Sequence, residues 1–216
     1  MKKLIRGILD FRASRREGWA ETFSRLALGQ KPDALFIACS DSRVAVNVFA
    51  STDPGDLFVM RNVGNLVPPA GHPGGTGTAA AVDYAVDVLK VRDVIVCGHS
   101  DCGAMRAHCQ GHAALPDGAL KSWLEMGATG PGEGMDVNEA SRRNVLAQIG
   151  HLKGYPCVSR AIAEGRLKVH GLWFDIRHVE VHYYEEEDGA WTVLDAAEGE
   201  RILGRLEGGA PNHTTG

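Results

Sequence analysis

The sequence has no long apolar run and no excess of positive charge, and each absence excludes a class of protein. No apolar stretch approaches the roughly 18 residues that a membrane-spanning helix needs. Lys and Arg number 23 against 27 Asp and Glu, a net charge of −4, so the overall charge does not attract nucleic acid or an anionic membrane. The length of 216 residues, 44% of them apolar, predicts one globular domain with room for an arm.

The sequence also lacks a signal peptide pattern and an even set of cysteines. Arg6 and Asp10 interrupt the short apolar stretch at the amino terminus, and no small-residue cleavage site follows, so we expect a cytoplasmic protein. An odd number of cysteines in a chain of this size argues against a disulfide framework. In a reducing compartment each cysteine either fills the core or serves metal or thiolate chemistry. The five are Cys39, Cys97, Cys102, Cys109 and Cys157.

Short apolar runs alternate with helical patterns along the body of the chain. Runs over residues 34–38, 57–60 and 94–97 are predicted to be buried strands. A helix is predicted over residues 78–90, where Val82, Val86 and Leu89 form an apolar stripe, and another over residues 136–152. This alternation predicts an α/β fold with a mostly parallel β-sheet flanked by helices.

The two ends of the chain carry different patterns. Residues 1–30 are basic and predicted to be helical, with Trp19, Phe23 and Leu26 on one face. Two interpretations stay open: a helix packed on its own domain, which the sequence slightly favours, or an arm across a second subunit. Strands over residues 179–184 and 191–194 flank Asp188-Gly189 and predict a C-terminal antiparallel hairpin. We expect an N-terminal helical arm at 1–30, a single α/β domain at 31–207 and a flexible tail at 208–216.

Chemistry-bearing residues follow two of the predicted strands. The first strand ends in Cys39-Ser40-Asp41-Ser42-Arg43, and the third ends in Gly98-His99-Ser100-Asp101-Cys102-Gly103. Parallel strands end at the same edge of a sheet, where ligands bind in open α/β folds, so Cys39, His99 and Cys102 can converge. Two thiolates and an imidazole are ligands that zinc prefers, and three protein ligands plus a water are typical of a catalytic zinc site.

Asp41 and Arg43 lie beside this predicted site. Asp41 is two residues beyond a ligand and can reach the open metal position, while Arg43 keeps the carboxylate ionised and fixes its direction. The simpler interpretation, a turn aspartate with a surface arginine, is weaker next to a metal. Cys102 also precedes a helix predicted to begin near Gly103, and a helix amino terminus favours the thiolate.

Other candidate residues fit plainer interpretations. Cys97, Cys109 and Cys157 are predicted to be core residues, and His108 and His112 are predicted to be surface histidines, since no glutamate accompanies them. Residues 75–80 match the outline of a dinucleotide-binding loop, which leaves an oxidoreductase as an alternative. That alternative is weak, because the preceding strand ends about 15 residues earlier, whereas the true motif follows its strand directly.

Three motifs together resemble the β-class carbonic anhydrases, over about Gln30 to Leu194. The resemblance implies a zinc-dependent enzyme that interconverts carbon dioxide and bicarbonate, with a mostly parallel sheet and helices. It also implies a dimer as the basic unit, often paired into tetramers or larger assemblies. The motifs are Ala38-Cys39-Ser40-Asp41-Ser42-Arg43-Val44, Arg61-Asn62-Val63-Gly64-Asn65 and Gly98-His99-Ser100-Asp101-Cys102-Gly103.

The resemblance also implies roles for individual residues. Cys39, His99 and Cys102 would be the zinc ligands, and Asp41 and Arg43 would form a catalytic pair. The substrate-binding residues would be a glutamine that orients substrate, three residues that line a narrow apolar pocket lent in part by the other subunit, and a glycine that supplies a backbone N–H. They are Gln30, then Phe58, Val63 and Tyr84, then Gly103.

One departure from part of that family is informative. Some members carry Trp-x-Gly before the first cysteine, which marks an inhibitory bicarbonate pocket, but this chain has Phe36-Ile37-Ala38. It therefore resembles the subtype without that pocket, in which Asp41 stays off the metal in the active state. A state at low pH with Asp41 as fourth ligand stays open. The rival functions are a carbon disulfide or carbonyl sulfide hydrolase on this fold, and a non-enzymatic zinc protein, which the intact Asp41 and Arg43 disfavour.

Overall fold

The fold is built on a six-stranded sheet. The computed structural model describes residues 1–111, 115–127, 132 and 134–208. Within them the strand order is β2-β1-β3-β4-β5-β6, in which the first four strands are parallel and the last two join antiparallel. The strands are β1 (Ala34–Cys39), β2 (Leu57–Asn62), β3 (Asp93–His99), β4 (Lys168–Asp175), β5 (Glu180–Glu185) and β6 (Ala190–Val193).

Helices cover both faces of this sheet and form the amino-terminal segment. Pro73–Gly75 is a 3-10 turn, and Phe11–Arg15 and Tyr84–Val88 are π-helical turns. The α-helices are α1 (Lys2–Asp10), α2 (Arg16–Leu26), α3 (Val46–Phe49), α4 (Thr76–Asp83), α5 (Gly103–Cys109), α6 (Ala119–Gly127), α7 (Val137–Lys153), α8 (Pro156–Ala163) and α9 (Ala196–Gly208). In the described part of the chain, none of these helices combines the length and apolar character needed to cross a lipid bilayer.

The predicted fold class is confirmed, and so are the central strands. Every residue of β1 is buried, because helices cover both faces, which is why its sequence reads as an unbroken apolar run. β1 pairs in parallel with β2 on one side and with β3 on the other. The C-terminal hairpin is confirmed as β5 and β6, which pair antiparallel with Glu185 opposite Ala190.

The core lies on both faces of the sheet, and α7 packs closely on one of them. A β-carbon at Gly98 would lie 2.7 Å from Cγ2 of Val145, so only glycine lets α7 approach β3 this closely. The apolar residues of β1 and β3 alternate between the two faces, as the two-residue period of a strand requires. Leu35, Ile37, Val94 and Val96 pack on the α7 side, and Phe36, Ala38, Ile95 and Cys97 pack on the other side.

The amino-terminal arm does not pack on its own domain. No residue of α1 or α2 is buried, and Leu4, Ile8 and Phe23 are 62%, 58% and 50% exposed. Near the end of α2, Leu26 reaches the turn at Gly55, where a β-carbon would lie 2.6 Å from Leu26 Cδ2. The interpretation that the sequence slightly favoured, a helix packed on its own domain, is therefore wrong, and the described residues leave most of the apolar face of the arm uncovered.

Some elements differ from the sequence prediction. The helix predicted over residues 78–90 begins earlier, at Thr76, and changes to a π-helical turn at Tyr84. Strand β4 and helices α8 and α9 were not predicted. The strand was missed because it mixes charged, apolar and aromatic residues without a clean two-residue period. Residues 209–216 of the predicted tail lie outside the described residues.

Candidate metal centre

Three metal-binding side chains meet at the carboxyl edge of the sheet. Cys39 is the last residue of β1, His99 is the last residue of β3, and Cys102 immediately precedes α5. Because β1 and β3 are parallel neighbours, their ends lie side by side, although 60 positions separate the first two residues. The ligand atoms of all three lie within 4.8 Å of one another and all three residues are buried. The predicted convergence is confirmed.

A left-handed turn brings Cys102 back towards His99. Asp101 has a φ of 52°, a conformation that aspartate tolerates better than most residues. Its backbone N–H donates to Oδ1 of Asn138 at 2.8 Å, and its carbonyl accepts from Nη2 of Arg43 at 3.2 Å. The turn is thus fixed from two sides, and the two-residue gap between the ligands is bridged without a longer loop.

The His99 ring presents one nitrogen to the cluster. Nδ1 lies 2.9 Å from the carbonyl oxygen of Ser100, so this nitrogen carries the proton and donates it. Nε2 is then an acceptor, and within the described residues it is buried with no hydrogen-bond partner. A buried acceptor without a partner costs stability, and a histidine whose other nitrogen donates to a carbonyl is a common arrangement at metal sites. The ring is therefore set to bind a cation through Nε2.

The contact between the two buried thiols shifts their pKa values in opposite directions. A hydrogen bond from the Cys102 thiol lowers the pKa of Cys39 to about 4, with smaller contributions that include the backbone N–H of Gly64, 3.4 Å from Sγ. The same contact, together with burial, raises the pKa of Cys102 well above its ordinary value. Two thiolates side by side need a positive ion between them, and two sulfurs with one imidazole nitrogen are a donor set that suits zinc.

Asp41 and Arg43 form a two-pronged ion pair next to the cluster. Nε of Arg43 lies 2.9 Å from Oδ1 of Asp41, and Nη2 lies 2.7 Å from Oδ2. The hydrogen bond from Arg43 holds the pKa of Asp41 well below its usual range. Oδ2 also lies 4.0 Å from Nε2 of His99, so the carboxylate borders the cluster while both its oxygens are held by the guanidinium. The predicted pairing is present.

Arg61 fixes the backbone on which this pair is built. Its Nε and Nη2 donate to the carbonyl of Cys39 at 2.9 and 2.8 Å, and Nη2 also donates to the carbonyl of Asp41 at 2.7 Å. Arg61 lies within one of the three sequence motifs, but no role was predicted for it. Its position at the end of a strand next to β1 is the signal that could have revealed this function.

A short loop after β2 supplies the amide that contacts Cys39. Asn62 closes the loop, since its side chain accepts from the N–H of Leu66 at 2.7 Å and donates to the carbonyl of Leu66 at 2.8 Å. Gly64 has a φ of 82°, and a β-carbon there would lie 3.0 Å from the β-carbon of Ala104. Glycine is therefore required, because the loop must turn left-handed against α5 for the Gly64 N–H to reach the sulfur.

The residues expected to bind substrate divide between the two ends of the sheet. Val63 and Gly103 adjoin the centre, since Val63 precedes Gly64 and Gly103 follows Cys102. Phe58 pairs in register with Leu35, four residues before Cys39, which puts it roughly 13 Å back along the strands. The Tyr84 ring lies 5.7 Å from that of Phe58 and is 42% exposed.

Gln30 belongs to the same end of the sheet as Phe58 and Tyr84. Gln30 is exposed and lies four residues before Ala34, where β1 begins. The fold therefore does not gather Gln30, Phe58 and Tyr84 around the metal cluster of their own chain.

The predictions for the remaining cysteines and histidines are only partly confirmed. Cys97 and Cys157 are buried as predicted, and burial raises the pKa of each thiol to about 12, so they behave as inert core residues. Cys109 is half-buried. His108 is only 5% exposed, so the prediction of a surface histidine is wrong: α5 turns this side chain inward. His112 lies outside the described residues.

Fold and site together define an α/β protein with a thiolate-imidazole metal centre at the carboxyl edge of its sheet. The sequence model of the family described as carbonic anhydrase matches residues 34–181. A carbonic anhydrase from Pseudomonas aeruginosa is 43% identical over 208 residues, covering 91% of this chain and 89% of that protein. Carbonic anhydrase 1 of Escherichia coli O157:H7 is 40% identical over 212 residues, with the same coverage of 91% and 89%.

Solved structures agree with these sequence relationships. The β-carbonic anhydrase CcaA superposes with a TM-score of 0.79 at 33% identity, covering 89% of this chain and 98% of that one. A tetrameric β-carbonic anhydrase from Sordaria macrospora has a TM-score of 0.70 at 32% identity, with coverage of 88% and 98%. The chain belongs to the β-class carbonic anhydrase family.

Proposed function

We propose that this protein catalyses the reversible hydration of carbon dioxide to bicarbonate and a proton, using zinc held by Cys39, His99 and Cys102. The observation that carries the proposal is a buried cluster of two thiols and one imidazole nitrogen that has no hydrogen-bond partner among the described residues, with an oriented carboxylate beside it. A zinc ion bound there would supply the Lewis acidity that lowers the pKa of a water molecule towards neutrality.

Asp41 and Arg43 are proposed to orient the attacking water. The Asp41 carboxylate stays ionised throughout the neutral range because Arg43 donates to both of its oxygens. An ionised carboxylate can accept a hydrogen bond from water and so aim a lone pair of the water oxygen at the substrate carbon. Because Arg43 holds this carboxylate and Arg61 holds the backbone carbonyl of Asp41 beforehand, little reorganisation is needed during the reaction.

Gly103 is proposed to contact the anionic product. It is the first residue of α5, and its backbone N–H points out of the start of the helix, where no intrahelical acceptor exists. Such an N–H is suited to a bicarbonate oxygen.

The apolar pocket for carbon dioxide is proposed to form between two copies of the chain. Gln30, Phe58 and Tyr84 lie at the end of the sheet away from their own metal cluster, so they would line the pocket of a neighbouring subunit. The free outer edge of β2 and the uncovered apolar face of α1 and α2 support association. The relative from Sordaria macrospora is described as tetrameric. We expect light scattering to give a dimer or a larger even assembly, and a 23.1 kDa monomer at micromolar concentration would contradict this.

The absence of an inhibitory bicarbonate pocket is proposed from the residues before Cys39. Phe36 is 2% exposed, and its ring lies 6.3 Å from that of Phe49, so this position is filled by core packing. Asp41 is then expected to stay paired with Arg43 in the active state, as it is in this structure.

The alternative functions are less well supported. Pro73–Gly75 forms a 3-10 turn and α4 begins at Thr76, whereas β2 ends at Asn62, so the glycine-rich segment does not directly follow a strand as a dinucleotide-binding loop must. Hydrolysis of carbon disulfide or carbonyl sulfide could use the same metal ligands, but the relatives of this chain are named carbonic anhydrases.

Stopped-flow measurement of carbon dioxide hydration tests the proposal. The zinc-loaded protein is expected to accelerate the acidification of a carbon dioxide solution well above the buffer rate, and to turn over carbon disulfide poorly or not at all. The same protein stripped of metal with a chelator serves as the control. A zinc-loaded protein no faster than its stripped form would overturn the proposed function.

A further inference from the structure

One face of α7 carries a row of polar side chains directed into the protein. Asn144 and Gln148 are 1% and 0% exposed, and Ser141 is 1% exposed. With the half-buried Asn138 they follow a spacing of three, three and four residues, which places all four on one face of the helix. Buried polar groups are costly unless they are hydrogen-bonded, so the partners of this row show what it does.

The first two members of the row hold the segment that contains His99. Ser141 Oγ donates to the carbonyl of His99 at 2.8 Å and accepts from its backbone N–H at 3.3 Å. Asn138 Oδ1 accepts from the N–H of Asp101 at 2.8 Å. Both contacts are made to the backbone of the His99–Cys102 turn, so α7 fixes the side of the cluster that contributes the imidazole.

The last two members hold the loop that contacts Cys39. Asn144 Nδ2 donates to the carbonyl of Gly64 at 3.0 Å, and Gln148 Oε1 accepts from the N–H of Val67 at 2.8 Å. Gln148 Nε2 donates to Asn144 Oδ1 at 2.9 Å, which fixes the orientation of the Asn144 amide. The Gly64 N–H in turn faces Sγ of Cys39 at 3.4 Å.

We infer that Asn144 is a positioning residue of the metal centre, acting with Ser141 one turn earlier on α7. The two side chains attach the Gly64 loop and the His99 backbone to the same rigid helix, so they set the distance between the two halves of the cluster. Neither touches the metal ligands' donor atoms. The inference rests on the proposed metal site. It adds two side chains of α7 that hold the backbone on either side of this site. Replacing a residue that supports metal ligands without touching the metal typically changes the metal affinity by about 10 to 100-fold.

A purely structural role for Asn144 predicts a different result from a positioning role. Leu152 lies on the same helix, is fully buried, and packs in the core about 12 Å further along the axis. We expect either replacement by alanine to destabilise the fold, but only the change at Asn144 removes a hydrogen bond to the Gly64 loop. Leu152→Ala is therefore the matched control for stability.

The experiment compares Asn144→Ala, Leu152→Ala and the unchanged protein, all loaded with zinc. Zinc release is followed with a chromogenic chelator in excess, and stability is followed by urea unfolding of the same samples. We expect release from Asn144→Ala to be about tenfold faster than from the unchanged protein, and release from Leu152→Ala to stay within about twofold. Release from Asn144→Ala that matches the unchanged protein, or that matches Leu152→Ala, would overturn the inference.

A second variant covers the case in which Asn144→Ala does not fold. Ser141→Ala removes only a hydroxyl group, and it too is expected to release zinc faster than Leu152→Ala, by a smaller factor. Equal release from Ser141→Ala and Leu152→Ala would then overturn the inference. The measurement does not depend on carbon dioxide hydration, so a failure of the proposed function and a failure of this inference give separate results.

Discussion

At the carboxyl end of the sheet, Cys39, His99 and Cys102 are at most 5% exposed, and side chains from elsewhere in the chain hold the surrounding backbone. At the amino end, Tyr84 is 42% exposed, and Gln30 is also exposed. The four parallel strands therefore end at their carboxyl edge in a metal-binding cluster that the same chain supports, whereas Gln30 and Tyr84 at the other end are exposed.

This difference teaches which parts of the enzyme one chain can build alone. Side chains of the same chain support the metal ligands, whereas Phe58 and Tyr84, two of the three residues expected to line the apolar pocket, lie away from their own cluster. The arm follows the same rule, since no residue of α1 or α2 is buried. We therefore expect a single chain to be complete for binding metal and incomplete as a substrate pocket.

The largest effect is expected from Cys102→Ala. Losing this thiolate leaves two protein ligands, too few for a stable zinc site, so zinc and activity should both be largely lost. Elemental analysis measures the metal content. Cys97→Ala, a buried cysteine on β3 outside the cluster, is the matched control and should keep its zinc. Full zinc retention in Cys102→Ala would show that this residue is not a ligand.

Asp41→Asn is expected to keep zinc but lose about a hundredfold in kcat for hydration near pH 8, because losing one such preorganised contact costs about 3 kcal/mol in the barrier. Asparagine has nearly the same shape, so the metal ligands stay in place. It carries no charge to pair with Arg43 and cannot accept through both side-chain atoms. Zinc content and kcat are measured on one sample. Activity within about threefold of the unchanged enzyme, with zinc intact, would reduce Asp41 to a turn residue.

Mixed subunits test whether the pocket is shared. Gln30→Ala and Asp41→Asn should each be impaired alone. If Gln30 serves the neighbouring subunit, a dimer with one chain of each kind has one site with both changes and one site with neither. Unfolding and refolding an equal mixture should then restore about a quarter of the unchanged activity. Refolding each variant by itself is the control. No recovery in the mixture would place Gln30 in the site of its own chain.

The smallest effect concerns the pH dependence of stability. Burial, and then the Arg142 guanidinium, lower the pKa of His182; Asp175 and Glu180 oppose this shift and His178 adds to it. The folded protein thus favours neutral His182, so this contribution to stability is present above the unfolded pKa of about 6.5 and is lost as pH falls through the lower folded pKa. The loss should be small, since His182 is only half-buried and solvent screens it.

His182→Gln is expected to lose less stability than the unchanged protein when urea unfolding is repeated at about pH 7.5 and about pH 5.5. The His182 ring lies edge-on to Trp173 at 5.3 Å, and Trp173 Nε1 donates to Ser141 Oγ at 3.1 Å. The result therefore tests whether His182, which is linked through Trp173 to a support of the metal centre, contributes to the pH dependence of stability. Equal losses of stability in both proteins would show that His182 does not contribute to this pH dependence.

The metal-binding cluster could be predicted from the sequence because two of its ligands end strands and the third comes three residues later. A buried strand that ends in Cys39 and another that ends in His99 can be recognised locally, and the parallel topology brings them together. The supports could not be predicted in the same way. Asn144 and Gln148 read as ordinary polar residues of an amphipathic helix, and nothing local shows that their partners lie about 80 positions earlier.

The amino end was predicted less well for a related reason. Trp19, Phe23 and Leu26 share a helical face, but a helical face shows only that something covers it, not which molecule does so. His108 was misplaced because the lack of an accompanying glutamate argues only against a metal site, whereas α5 turns this side chain into the protein. Both errors concern what a helix packs against, which depends on the whole fold.

The position of α7 in the chain has a consequence for biosynthesis. Cys39, His99 and Cys102 all leave the ribosome before Ser141, Asn144 and Gln148, the residues that hold the backbone around them. At about 5 to 20 residues per second, the ligands exist for several seconds as part of a chain whose supporting helix has not been made. The centre can reach its final geometry only after α7 has emerged and docked onto β3 at Gly98. We therefore expect stable metal binding by this protein to follow the docking of α7.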